Sequence, residues 1–266
     1  MKKLEGVKAV YMGDWVFYTG PQFIESPFEM MAKDCHLTFL GKPVTEALEK
    51  AGATVRALSN WDLYHMSPDD YGKMIDEADV IIVSDVEARC FHLNPDFFDR
   101  TKYGKEIITF PDRSKALTAA VEAGKGLVFM GGWLSFSGHM EKGGWRRCPI
   151  ADWLPFSCLL GEDLMESSEG YGVQTIKPGH PILNGLPLDE IPPLLGYNEF
   201  EPKAEMDILL RIATTGHPLL GVSQHGEGRM VTYASDPVPH WGINLMLWNG
   251  YDAFWQNMVA WAAHRD

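Results

Sequence analysis

No stretch of eighteen consecutive apolar residues occurs in the 266-residue chain, so no membrane-spanning helix is expected. Basic residues are scarce. There are 23 Lys and Arg against 36 Asp and Glu, a formal charge of −13, and no basic cluster stands out beyond Arg146-Arg147. That balance argues against nucleic acid and anionic membrane as partners. Cysteine is limited to Cys35, Cys90, Cys148 and Cys158, with no CxxC spacing. The first residues, MKKLEGVKAVYMGD, have no long apolar region and do not read as a signal peptide. The thiols are therefore expected to be free, in a reducing cytoplasm. No GxGxxG follows the first apolar run, and there is no Walker pattern, HxH or HExxH. No nucleotide cofactor or metal is expected. No internal repeat or low-complexity linker divides the chain, so residues 1–266 read as one domain.

Aromatic residues are plentiful, with nine Trp and thirteen Phe, most of them expected in the core or lining a pocket. The stretch Gly126–Gly138, GLVFMGGWLSFSG, organises the rest. An apolar run bounded by glycines reads as a buried strand of a parallel sheet. Gly131-Gly132 then permits a tight turn and a close approach of ligand or backbone. Equally, the two glycines could serve only to let a helix pack.

The flanking segments alternate strand and helix. Val7–Met12, Ala53–Leu58 and Asp79–Ser84 read as strands, and Lys42–Lys50 and Ser114–Ala123 as helices. Ser67-Pro68-Asp69-Asp70 is a helix start, with Ser as N-cap, Pro in the first turn and acids beside it. This order predicts a parallel, doubly wound sheet. Residues 14–38 read as a long aromatic loop covering a site, and 139–170 as a helix plus an irregular excursion. Val173–Ile176, Asp207–Ala213, Leu219–Ser223 and Arg229–Ala234 are further strands. The last two are joined by a turn at His225–Gly228, and Tyr251–His264 is a closing helix.

The segments ADVIIVSD, GKGLVFMGGWLSFSG, DWLPFSCLLGED, GHPILNGLP, LLGYNEF, PLLGVSQHGEGRMVTYASDPVPHWG and GYDAFWQNMVAW resemble the class I glutamine amidotransferase-like superfamily. Within it they are most similar to the uncharacterised "putative glutamine amidotransferase" branch. The resemblance runs from about residue 78 to the end. It implies an α/β, flavodoxin-like three-layer sandwich with a mainly parallel sheet. It also implies a cysteine nucleophile at the turn after the central strand, with a histidine and a carboxylate after the late strand. This chain departs from that pattern. Trp133 stands at or beside the nucleophile position, with Ser135 two residues on in an expected helix. Asp236 stands about where the histidine would be, and His240 comes four residues later.

Strand ends in this architecture face the ligand. The expected site is therefore walled by Asp14, Trp15, Asp85, Gly131, Gly132, Trp133, Ser135, Asn198 and Trp241, with Asp236 and His240 as acid–base groups. Asp236 could instead cap a turn while His240 stacks, and Asn198 could orient a ligand or only complete a turn. Cys90 is the alternative nucleophile, or else a buried thiol acting as a small hydrophobe. Cys35-His36, Cys148 and Cys158 read as structural, and His139 is a minor candidate. Asp14, Asp85, Asp236 and His240 could form an oxygen-rich metal site, although no ligand spacing supports one.

Three functions follow as expectations. The first is binding or processing of a small polar, sugar-like ligand on a scaffold without Cys–His machinery. The second is a glutamine amidohydrolase with a displaced cysteine. The third is a noncatalytic interaction module, and a homo-oligomer would suit it.

Overall fold

The computed structural model describes residues 2–23 and 30–266, and the side chains of all of these except 18–36 and 98. The chain enters as β1 (Lys8–Gly13), followed by the antiparallel pair β2 (Trp15–Phe23) and β3 (Met30–Phe39). Over 15–23 and 30–38 the expected loop is thus corrected to a two-stranded ribbon, and residues 24–29 lie outside the described ones. Gly20 and Pro21 suggest a loop, yet they fall where the register shifts, and a bulge accommodates both within a strand pair. The side chains of Cys35 and His36 lie outside the described ones.

Next come α1 (Lys42–Lys50), β4 (Thr54–Leu58), α2 (Asn60–His65), α3 (Pro68–Glu77), β5 (Val80–Ser84), α4 (Arg89–His92), α5 (Arg100–Tyr103), α6 (Arg113–Glu122) and β6 (Gly126–Met130). Local chemistry sets the helix starts. Ser59 and Asp62 form a reciprocal capping box on α2, Ser67 caps α3 through the Asp70 amide, and Asp112 caps α6 through the Ser114 amide. β5 and β6 are buried along their whole length, as interior strands of a sheet covered on both faces must be.

After β6 no α-helix forms before α7. Turns and two short 3-10 segments, His139–Glu141 and Trp145–Arg147, occupy the stretch expected to be helical. Phe136, Met140 and Glu141 have positive φ, which interrupts any helical path. Phe136 instead points into a buried cluster with Phe129, Phe156 and Phe200. The chain continues through β7 (Phe156–Cys158), β8 (Leu164–Tyr171), β9 (Val173–Thr175), β10 (Leu194–Asn198), β11 (Phe200–Pro202), β12 (Asp207–Ile212), β13 (Pro218–His225), β14 (Gly228–Tyr233) and α7 (Tyr251–Ala262). The pairs β7–β11 and β8–β10 make two small antiparallel ribbons.

The main sheet runs β4-β1-β5-β6-β14-β13-β12-β9. It is parallel from β4 to β14 and antiparallel beyond. Helices α1 and α7 pack together, as do α3 and α6, giving the α/β three-layer arrangement. From β1 the chain moves outward to β4, then returns to β5 on the other side of β1. The strand order reverses there, and the carboxyl ends of β1 and β5 open a crevice where α/β folds place ligands.

Candidate acid–base site at the strand ends

Four parallel strands deliver polar residues to that crevice. β1 is followed directly by Asp14, β5 by Asp85 and β6 by Gly131-Gly132, and β14 leads through Ala234-Ser235 to Asp236. Asp14 and Asp85 share a left-handed backbone, with φ of 54° and 53°. Asp tolerates this better than most residues, and the turn swings each side chain off its strand axis. Such strain is characteristic of functional strand ends.

Asp236 and His240 form the most clearly built pair. The His240 Nδ1–H donates to Asp236 Oδ2 at 2.6 Å. Asp236 also accepts from the Gly242 amide at 2.9 Å and the Trp241 amide at 3.4 Å, so a buried carboxylate is satisfied on both oxygens. This leaves His240 Nε2 without a hydrogen-bond partner among the described residues, on a side chain 37% exposed. Burial works against the charged imidazole. The Asp236 hydrogen bond and the charges of Asp236, Asp85 and Glu166 outweigh it and raise its pKa above the ordinary histidine value.

Behind this pair sit two carboxyl groups with raised proton affinity. Burial, then repulsion from Asp85 and Asp236, lifts Asp14 to about 8, against the Tyr11 and Ser84 hydrogen bonds. Tyr11 donates its hydroxyl to Asp14 Oδ2. Burial also lifts Asp85 to about 6, although its Oδ1 accepts from the Leu134 amide at 2.6 Å and His240 draws it down. Two carboxyl groups and an imidazole with separated proton affinities are therefore held in one crevice. Among the described residues, no group of three or more His, Cys, Asp or Glu side chains is placed to hold a metal ion.

The turn after β6 forms the wall. Asn198 is fully buried and uses its whole amide on the protein. Its Oδ1 accepts from Gly132 N–H at 2.9 Å, and its Nδ2 donates to Gly132 O at 3.1 Å and Asp163 Oδ1 at 2.9 Å. Asp163 in turn accepts from the Ser137 and Gly138 amides. Gly131 N–H donates across to Tyr233 O and Ser235 O, fastening β6 to the end of β14. Ser135 is fully buried behind this wall. Trp133 is 46% exposed and stands edge-on to His240, with ring centroids 5.4 Å apart. Its Nε1 and that of Trp241 both donate to Glu166 Oε1, at 3.4 and 2.8 Å. Trp241 also stacks on His240, while Trp15 stacks on Phe39 at 4.9 Å. A surface groove of about 560 Å³ along α2 and α3, lined by Arg56, Trp61, His65 and Lys73, contains none of these groups.

Gly132 has φ 137° and no room for a side chain, because a Cβ there would lie 2.5 Å from Asp85 Oδ1. Gly132→Ala is expected to destabilise the protein by about 1–3 kcal/mol and to displace the Asp85 carboxyl. Thermal unfolding checks the first effect, and a change in the Asp85 titration by NMR checks the second.

The cysteines lie elsewhere. No described cysteine sulfur is hydrogen-bonded to His240. Cys90 is buried in α4, where desolvation pushes its thiol up to about 12, and burial likewise raises Cys148 to about 11. Neither is a thiolate at neutral pH. Where the resemblance implies a nucleophile, the turn after β6 carries Trp133, and no helix N-terminus follows it to stabilise an oxyanion.

Tyr11, Asp163 and Glu166 belong to this constellation and were not singled out from the sequence. Tyr11 reads as core, and its hydroxyl on a central strand is the one signal that could have marked it. Asp163 and Glu166 come from around β8, in the stretch read as irregular, and carry no local signal.

The family described as "GATase1_like: Putative glutamine amidotransferase" matches residues 29–264. The cytoplasmic protein STM3548 from Salmonella typhimurium superposes with a TM-score of 0.84 at 26% identity, covering 96% of this chain and 99% of that one. The cytoplasmic protein STM1381 from Salmonella typhimurium LT2 does so with a TM-score of 0.81, also at 26% identity, covering 96% and 99%. A thua-like protein from Parabacteroides merdae shares the fold alone, with a TM-score of 0.51 at 11% identity, covering 97% and 90%. No curated protein matches the chain. With its match spanning nearly the whole sequence, the chain belongs to the GATase1-like family of glutamine amidotransferase-like proteins.

Proposed function

We propose that this protein binds and processes a small polar ligand by acid–base chemistry of the Asp236–His240 pair, without a cysteine nucleophile. The observation that carries this reading is the open Nε2 of a part-exposed imidazole fixed at Nδ1 by a buried carboxylate and within the electrostatic reach of Asp85. In that geometry Nε2 takes a proton from a ligand hydroxyl or a bound water, and Asp236 stabilises the imidazolium that results. Asp85, lifted to about 6, can accept or return a proton near neutral pH. Asp14, lifted to about 8, stays protonated at pH 7 and acts as a neutral donor or a spacer of charge. The half-exposed ring of Trp133 suits a ligand with one apolar face and several hydroxyls, as sugars have, while the buried Trp241 ring backs His240. A cytoplasmic location fits the free thiols described and the naming of the two Salmonella proteins. Among the described residues no helix is long and apolar enough to cross a membrane.

The test is a ligand screen read at His240. Monosaccharides, disaccharides, sugar acids and L-glutamine are titrated while the His240 ring resonances are followed. A sugar-like ligand is expected to shift them. Asp236→Asn is expected to weaken that ligand about tenfold with an unchanged circular dichroism spectrum, because the wrong ring nitrogen then carries the proton. L-Glutamine is expected to release no ammonia. Ammonia release that Cys90→Ser or Cys35→Ser abolishes would overturn the reading in favour of a displaced nucleophile.

A further inference from the structure

A second polar cavity is bounded by Ser137, in the turns that follow β6, and by the stretch from Glu141 to Arg147. It has a volume of about 240 Å³ and is lined by Arg89, His92, Ser137, Glu141, Gly144, Arg146 and Arg147. Three arginines thus meet one carboxylate in a chain whose formal charge is −13. Glu141 is already engaged, since its Oε2 accepts from Arg147 Nη2 at 3.1 Å. The Arg89 and Arg146 side chains have no hydrogen bond or ion pair to any described residue. Two guanidinium groups are therefore left for a ligand. They reach the cavity from separate elements, Arg89 from α4 and Arg146 from the 3-10 turn at Trp145–Arg147. That turn is anchored, because the Trp145 indole is buried and donates to Val86 O at 2.8 Å. Ser137 is occupied as a donor to Leu159 O, so the cations are the recognition groups.

We propose that this cavity binds the phosphate group of a small phosphate monoester, held between Arg89 and Arg146 with Arg147 and His92 beside it. Guanidinium forks match phosphate oxygens in geometry as well as charge, and two forks from different elements can take a dianion from two sides. The volume admits a phosphate and a few further atoms but no folded partner. Burial lowers the His92 pKa, so its ring is neutral at pH 7 in the free protein. A dianion placed beside it would raise that pKa.

The experiment titrates the full chain with inorganic phosphate, glycerol 3-phosphate and a phosphoserine peptide. It follows heat by calorimetry and the His92 ring resonances by NMR. Glycerol 3-phosphate is expected to bind at millimolar concentration or tighter, to raise the His92 pKa and to bind more weakly as salt increases. Inorganic phosphate is expected to compete with it. Arg146→Ala and, separately, Arg89→Ala are expected to weaken binding tenfold or more. Both residues are exposed, so neither variant should impair folding. Three results would each overturn the proposal: no binding at 10 mM, binding that neither variant weakens, or binding of the peptide alone.

Discussion

Replacing Asp14 by Asn is expected to stabilise the protein at pH 7 and above, and to flatten the dependence of its stability on pH. Asp14 is raised to about 8 by burial and by Asp85 and Asp236, while Tyr11 and Ser84 hydrogen bonds oppose the shift. In the unfolded chain the same carboxyl titrates near its ordinary value. Between these two values the folded state holds a proton that the unfolded state has released. The contribution is therefore fully present below about pH 4 and is lost as pH rises through about 8. At pH 7 the accumulated cost is on the order of 4 kcal/mol, from about three pH units at 1.36 kcal/mol each. Asn avoids it, keeps an acceptor for the Tyr11 hydroxyl and adopts the left-handed backbone readily. Urea unfolding at pH 5, 7 and 9 checks this. The wild type should lose stability across the series, and the variant should lose much less. Parallel curves would mean that Asp14 is already ionised in the folded protein.

The neighbouring groups occupy different windows, so they can be told apart. Asp85, raised to about 6, makes the same kind of contribution, but it is lost between about pH 4 and 6. His240 is raised through Asp236 despite its burial, so its contribution is full below the ordinary histidine value and is lost as pH passes its folded pKa. Asp85→Asn should therefore act mainly on the slope of the acidic limb, with smaller shifts in the Asp14 and His240 windows that its charge helps set, and His240→Gln mainly on the limb above about pH 6.5. A protein that keeps two buried carboxyl groups, Asp14 and Asp85, at the carboxyl ends of its strands gives up stability at neutral pH. That pattern is common where proton affinity serves function.

The parts of the fold legible in the sequence are those where one local signal dominates. Val80–Ser84 is unbroken β-branched and apolar sequence in a doubly covered sheet, and Ser67-Pro68 announces α3 by capping chemistry. The strand ends follow from the alternation of elements, which is why the sequence alone groups Asp14, Asp85 and Asp236. The ribbon β2–β3 was illegible because Gly20 and Pro21 are turn residues by composition, and only the pairing reveals a bulge. The missing helix after β6 was illegible for a tertiary reason. By sequence Ser135 is expected inside a helix after the turn, but burial of Phe136 among three other rings sets the backbone instead. Glu166 reaches the two indoles from β8, on a separate ribbon, and no spacing in the sequence joins them.

Arg113→Met is expected to be among the most damaging substitutions outside the crevice, costing about 3–5 kcal/mol and lowering Tm by roughly 10 °C. The Arg113 guanidinium is buried, and every hydrogen bond it makes to a described residue goes to a backbone carbonyl. Its Nε donates to Phe91 O at 3.2 Å and its Nη2 to Leu93 O at 2.7 Å. Its Nη1 donates to Leu63 O, to Tyr64 O at 3.3 Å and to Met66 O at 2.9 Å. These carbonyls belong to the closing turns of α2 and α4, where helices leave acceptors unpaired and carry partial negative charge. One cation thus satisfies two helix ends at once, and Met would take this donor from the Phe91, Leu93, Tyr64 and Met66 carbonyls, while Leu63 O keeps the Met66 amide. Arg113→Lys should fall between the wild type and Met, since an ammonium offers three donors from one point rather than a planar fork. The effect should also reach the crevice. Asn60 opens α2 and donates to Asp85 O at 3.2 Å, so a loosened α2 releases the backbone of a site carboxylate. Chemical unfolding measures the first effect and the Asp85 titration the second. A loss below 1 kcal/mol would show that water can replace the guanidinium at both helix ends.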